Sequence, residues 1–186
     1  MGTQTNVLVG AGNLYYGAAA DANNAMSDLG FTRDGVTIER ASNFVNISVD
    51  QAMAPIRIFA SEETYAVRTN LAEATLKNIK LAWGLWGAFA SSELSDASGN
   101  NFKGKILHFG GPDMQTTPSE FSVMFKGMAP GTSKKRLVRL HKCVAIDFGA
   151  LTHTKNGETV IPTRFFCLED TTRANNSRIG YFFDET

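Results

Sequence analysis

The residues whose types and spacing could do chemistry are the glycines of Val7-Leu8-Val9-Gly10-Ala11-Gly12, three histidines, the adjacent acids Glu62 and Glu63, and two cysteines. A strand running into Gly-x-Gly is where dinucleotide-binding folds let a pyrophosphate approach the backbone. Here Tyr15 holds the place of the third glycine, Gly17 comes two residues late, and no βαβ pattern follows. The segment reads instead as a Gly-rich N-terminal arm over 1–12. His108, His141 and His153 have no His or Cys three or four residues away, the spacing a metal motif requires. On one strand Glu62 and Glu63 point to opposite faces, which separates them as an acid–base pair. No serine stands in a Gly-x-Ser-x-Gly elbow. The residues therefore predict no enzyme, no cofactor and no metal. Cys143 and Cys167 lie 24 residues apart in strand-like runs, which fits neither a close-spaced zinc pair nor a dense disulfide framework, and they read as buried free thiols.

One charge feature stands out. Lys134, Lys135, Arg136, Arg139 and Lys142 gather with no acid between Glu120 and Asp147. Such a cluster is a solvated strand end, a contact to an acidic neighbour, or a grip on nucleic acid. No aromatic residues interleave with it as stacking platforms, and the whole chain carries 18 basic and 18 acidic residues for a net charge of +0. A free DNA-binding protein is therefore a poor fit, and a subunit contact is the expectation carried forward for Lys134, Lys135, Arg136 and Arg139. Zero net charge also removes the self-repulsion that keeps monomers apart.

The elements that must position these residues are mostly strands. At 186 residues the chain is the size of one domain, and 43% hydrophobic content suffices for a core. No apolar run reaches the roughly 20 residues that cross a bilayer. The first residues lack the basic start and long apolar stretch of a signal peptide, so synthesis in the cytosol is expected. From Gly35 to Gln51, Val36 and Ile38, then Val45, Ile47 and Val49, alternate with polar residues, which predicts a hairpin with one buried face and a turn at Ala41-Ser42-Asn43. Asn70 and Glu73 resemble a capping box, and Ala72, Leu76, Ile79 and Trp83 recur at helical spacing, predicting a helix over 71–83 ended by Gly84 or Gly87. Ser91 to Gly104, rich in Ser, Asn, Asp and Gly, reads as a long exposed loop. Strands return in Lys105–Gly111, Glu120–Gly127, Lys135–Phe148, Thr159–Asp170 and Ile179–Glu185, with Asn156-Gly157 as a hairpin turn. In Lys135–Phe148, strict alternation puts Val138, Leu140, Val144 and Ile146 on one face and Arg139, His141 and Cys143 on the other. The fold class is mainly β, a barrel or sandwich of about eight antiparallel strands with one flanking helix.

The order of these pieces resembles that of bacteriophage tail tube proteins. The segments that carry the likeness are VLVGAGNLYYG, GVTIE, NISVDQAMAPI, YAVRTNLAEATLKNI, RLVRLHKCVAID, VIPTRFFCLED and IGYFFDE, which together span nearly the whole chain. The basic cluster and the polar insertion after the helix depart from it. The resemblance implies a structural virion protein made in the bacterial host, whose barrel-like subunits form hexameric rings that stack into a tube. Its implied partners are further copies of itself and other tail proteins: tape measure, baseplate or tip, terminator and, in some tails, sheath. The resemblance also implies that viral DNA passes through without sequence-specific binding and that no membrane is involved.

Compact-domain scaling gives a radius of gyration of about 16 Å and a subunit about 40 Å across, so six touching subunits enclose a hole about as wide. Five would also leave a passable hole, so the number six comes from the resemblance. Within that picture sheet edges close each ring, and the 91–104 segment stacks the rings. Phe102, flanked by Asn101 and Lys103, is its candidate anchor. The alternatives are a tube of a related bacterial secretion or tail-like particle, and a small-ligand-binding β-barrel.

Overall fold

A computed structural model describes residues 12–19, 22–85, 89–109, 118–129, 134–153, 155 and 157–185. The fold is mainly β, as the alternation predicts. Eight strands make one antiparallel sheet: β1 (Asn13–Gly17), β2 (Ser27–Asp28), β3 (Thr32–Ile47), β4 (Arg57–Leu71), β7 (Phe121–Met128), β8 (Lys135–Phe148), β9 (Ile161–Cys167) and β10 (Gly180–Asp184). Its order is β2-β1-β7-β8-β9-β4-β3. The path is not closed by hydrogen bonds, but it curls: β1 touches β3, and the link between β2 and β3 bonds to both sides, Leu29 N to Leu14 O at 2.9 Å and Ala72 N to Phe31 O at 2.9 Å. The remaining strands, β5 (Ala90–Ser95) and β6 (Asn101–Ile106), form a separate hairpin.

The sheet forks along β8. One edge of β8 pairs with β7, while the other pairs with β10 from Arg136 to Leu140 and with β9 from Cys143 to Phe148. The core is the concave filling of this curl: Leu14, Val67, Leu71, Val123, Ile161 and Phe165 are fully buried, and Phe121 stands edge-on to Phe165 at 5.1 Å between ring centroids. β9 shows the simplest code, with Ile161, Thr163, Phe165 and Cys167 buried and the residues between them half-buried.

Strict alternation fails on β8. Phe121 is opposite Cys143 but Val123 is opposite Leu140, so three steps of β8 face two of β7. This bulge changes the parity of the strand, and Leu140 and Cys143, expected on opposite faces, both enter the core.

The helix α1 (Leu76–Ala82) is shorter than predicted because Asn70 ends up in β4. Its cap is Thr75, whose hydroxyl accepts from Asn78 N at 3.2 Å. At the other end Gly84, at φ +58°, makes the left-handed stop expected of it. Gly84 N bonds to Leu81 O and Leu85 N reaches back to Lys80 O, the paired bonds of a glycine-terminated helix. Buried Asn78 fastens α1 to the sheet by donating to Leu29 O at 3.0 Å and Glu73 O at 2.9 Å. Gly30 must stay a glycine there: its φ is +83°, and a Cβ would meet the Glu73 carboxylate at 2.2 Å.

Two further expectations are corrected. Ala41-Ser42-Asn43 is not a turn; β3 runs straight through it, with a bulge at Asn43/Phe44, and the chain reverses only in 48–56. Nor is Ser91–Gly104 a loop. Asp96 replaces several backbone partners at a tight reversal, its carboxylate accepting from Ser98 N and Asn100 N at 2.9 Å each, while Gly99 takes φ +82°. That leaves the flanking residues free to pair as β5 and β6. The Asn156 half of the expected Asn156-Gly157 turn, and the arm 1–12 apart from Gly12, lie outside the described residues.

Candidate assembly surfaces

Among the described residues, a long run of exposed apolar side chains lies on the outer halves of β3 and β4. β9 accompanies β4 only from Tyr65 to Leu71, whereas β3 pairs with β4 all the way out to Ile47 and Arg57. The two strands therefore continue past the sheet as a two-stranded arm, and every residue from 43 to 63 is exposed. At roughly 3.3 Å per residue its paired part reaches about 20 Å. Val45 stands opposite Phe59, with Ile47 two residues on, and the other face carries Phe44 and Ile58. Ile58 is 61% exposed and Phe44 63%. The alternation that predicts one buried face thus points, among the described residues, to a face that stays exposed. An isolated two-stranded ribbon is marginal in water, and this one is held by polar cross-strand ties near its base. Arg40 Nε meets Glu63 at 2.5 Å, and Tyr65 donates to the same carboxylate at 3.0 Å. The Arg40 bond, then the Tyr65 bond, holds the Glu63 carboxyl below its ordinary range. Glu62 instead accepts from Asn43 at 3.0 Å, so the two acids do part company.

The β5–β6 hairpin offers a second surface. Leu94 and Phe102 are cross-strand partners, 56% and 59% exposed, and lie on one face; Glu93 and Lys103 make the opposite face, 3.9 Å apart. Phe102, the candidate anchor, is exposed, while Asn101 and Lys103 lie on the opposite face of the hairpin. Asn101 engages Ser95 instead.

The basic cluster does not form a single patch. Arg136 makes a two-pronged pair with Asp184, both bonds at 2.6 Å, which keeps the Asp184 carboxyl below its usual range. Lys142 pairs with Glu120 at 2.9 Å. Arg139 is buried at 5% exposure, and its guanidinium bonds within the subunit to Asn23 and Ser122. Only Lys134 and Lys135 of the four proposed contact residues are exposed. The neutralising acids sit across the sheet on β10 or just before β7, where linear charge counting does not see them. Beside the basic end, β10 presents Phe182 and Phe183 at 68% and 52% exposure along an edge strand.

The histidines are dispersed: His108 and His153 are exposed, and His141 is buried at 2% exposure with its ring 5.6 Å from that of Tyr181. Among the described residues no three His, Cys, Asp or Glu side chains converge on a metal-sized space. Burial first, then the charges of Arg173 and Arg139, hold the His141 pKa below its ordinary value, with Asp170 opposing. The folded state therefore binds this proton less readily than the unfolded chain, whose histidine titrates near 6.5. Stability from His141 is complete above pH 6.5 and is lost as pH falls through 6.5 toward the lower folded pKa, with a slope of at most about 1.4 kcal/mol per pH unit. Urea melts at pH 7.5 and 5.5 should show this loss in the wild type, and His141→Gln should reduce it.

A 640 Å³ cleft between β10 and the Glu62–Tyr65 stretch of β4, lined also by Leu168, Asn175 and Arg178, is open to solvent. No helix among the described residues is long and apolar enough to cross a membrane. No family model matches the chain, and no curated protein does.

The arm residues Phe44, Ile56, Ile58 and Phe59 went unrecognised as a surface in the sequence. Their signal is neighbouring apolar side chains of both parities, Phe44 beside Val45 on β3 and Ile58 beside Phe59 on β4, which a strand with one wet face does not need.

Proposed function

We propose that this chain is a self-assembling structural protein, a phage tail-tube-like subunit that forms rings and stacks them into a tube through which viral DNA passes, and that it is not an enzyme. The observation that carries the reading is the β3–β4 arm: 21 consecutive exposed residues with large apolar side chains on both faces. Contiguous apolar surface of this kind marks interaction sites, and an uncovered strand edge is a template for a neighbouring chain. A monomer would be penalised for such an arm by aggregation. A polymer uses it, because a contact that closes makes a ring and a second that does not close makes a filament. The sequence resemblance supplies the particular polymer. The internal pairing of Arg136, Arg139 and Lys142 also suits a conduit, since fixed phosphate contacts would hold DNA that must slide. The direct test is negative-stain microscopy of the purified chain. Rings with a central hole, or tubes built from them, are expected; monodisperse monomers at all concentrations and salts would overturn the proposal.

A further inference from the structure

Cys143 and Cys167 are free, buried at 0% and 4% exposure, and directly opposite one another on β8 and β9, with their Sγ atoms 3.4 Å apart. The backbone bond from Leu168 N to Lys142 O, 2.8 Å, makes the next pair along a hydrogen-bonded one. The cysteine pair is therefore of the non-hydrogen-bonded kind, whose Cα atoms approach to about 4.5 Å. That spacing falls at the near end of the range that disulfides span. The position is specific as well. This is the first rung of the β8–β9 ladder beside the fork, between a bulge at 141–142 and another at Ile146.

We propose that Cys143 and Cys167 are a latent cross-strand disulfide: the chain folds with both thiols reduced, and in an oxidising environment they close into a bond that staples β8 to β9 at the fork. The electron acceptor is a small-molecule disulfide. One cysteine thiolate attacks it, forming a mixed disulfide and expelling a thiolate; the second cysteine then displaces the remaining half, so two protein thiols become one disulfide and two small thiols are released. The hydrogen bond between the two sulfurs, and then burial, raise the Cys143 pKa well above the ordinary thiol value, so the resting pair is slow to react. Reaction proceeds when the ladder frays from the fork, the end closed by the backbone bond from Leu168 N to Lys142 O. The inference is independent of the assembly proposal.

The test is to hold the intact chain at pH 8.5 in glutathione disulfide with enough urea to open strands without unfolding the chain, then dilute, denature and count thiols. The expected result is loss of both thiols, an intact mass lower by about 2 Da for the two hydrogens removed, and no chain-to-chain dimer. Melting temperature should rise by roughly 5–10 °C, the effect of closing a loop of this length in a domain of this size, and dithiothreitol should reverse the rise. Cys143→Ser and Cys167→Ser should each abolish the mass loss. Survival of both thiols, a stable glutathione adduct as the end product, or an intermolecular bond would overturn the proposal, and the wild-type readout decides it even where a variant does not fold.

Discussion

Replacing residues 44–61 by an Asn-Gly turn should leave a folded subunit that no longer assembles. The new turn would join Asn43 directly to Glu62, which already face each other across the ladder, and Asn-Gly suits a two-residue hairpin. The deletion removes Phe44, Val45, Ile47, Val49, Met53, Ile56, Ile58 and Phe59, all exposed. It spares Val36, Ile38, Tyr65, Val67 and Leu71, through which β3 and β4 reach the core. Surface segments of this kind change stability little, so the melt should stay cooperative and within a few degrees of wild type. Association should respond very differently. Eight large apolar side chains, at about 1.5–3 kcal/mol each when fully covered, represent on the order of 10 kcal/mol of gross contact energy at each arm, even at the low end. Sedimentation and microscopy should therefore find monomers at concentrations where the wild type forms rings or tubes. Assembly of the truncated chain at normal yield would show that the joining surface lies elsewhere. Should the truncation fail to fold, Val45→Lys with Phe59→Lys places two charges on the same face without shortening the chain, and the same loss of assembly is expected.

What the sequence reveals and what it hides can be traced to the range of the interactions involved. β9 is legible because its neighbours on both sides are regular, so alternation along Ile161–Cys167 maps directly onto burial. The Gly84 helix stop is legible because it is local chemistry. Three failures have non-local causes. The parity switch on β8 comes from a bulge against β7, and nothing in Leu140–Cys143 announces it. The basic cluster looks unpaired because its acids, Asp184 and Glu120, arrive from other parts of the chain. Alternation in Val45-Asn46-Ile47 predicts a buried face, yet both Val45 and Ile47 are exposed, because alternation marks an apolar face without showing that the rest of the subunit covers it. The 91–104 segment failed for a different reason: Asp96 and Gly99 concentrate turn signals in its middle, and the serine-rich flanks dilute the alternation that Leu94 and Phe102 would otherwise display.

That hairpin leads to the second large effect. Leu94→Ser with Phe102→Ser should leave subunits and rings intact while cutting tubes short. The two side chains are cross-strand partners on the apolar face, and neither belongs to the buried core, so folding loses little when they become polar. The hairpin is a sheet of its own, and its reversal is set by Asp96, whose carboxyl the Asn100 side chain, and then backbone donors, hold below its ordinary pKa. Both of these survive the substitutions. At a stacking joint, losing one Leu and one Phe from a covered interface removes about 3–6 kcal/mol per subunit. In a ring of several subunits that loss is repeated around the circumference, so the ring-to-ring constant falls far more steeply than any one contact suggests. If the hairpin stacks rings that another surface closes, as proposed, microscopy should show single rings or short stacks in place of tubes. Tubes of wild-type length would remove the hairpin from the stacking contact and leave the β3–β4 arm to join the rings along the axis as well as around it.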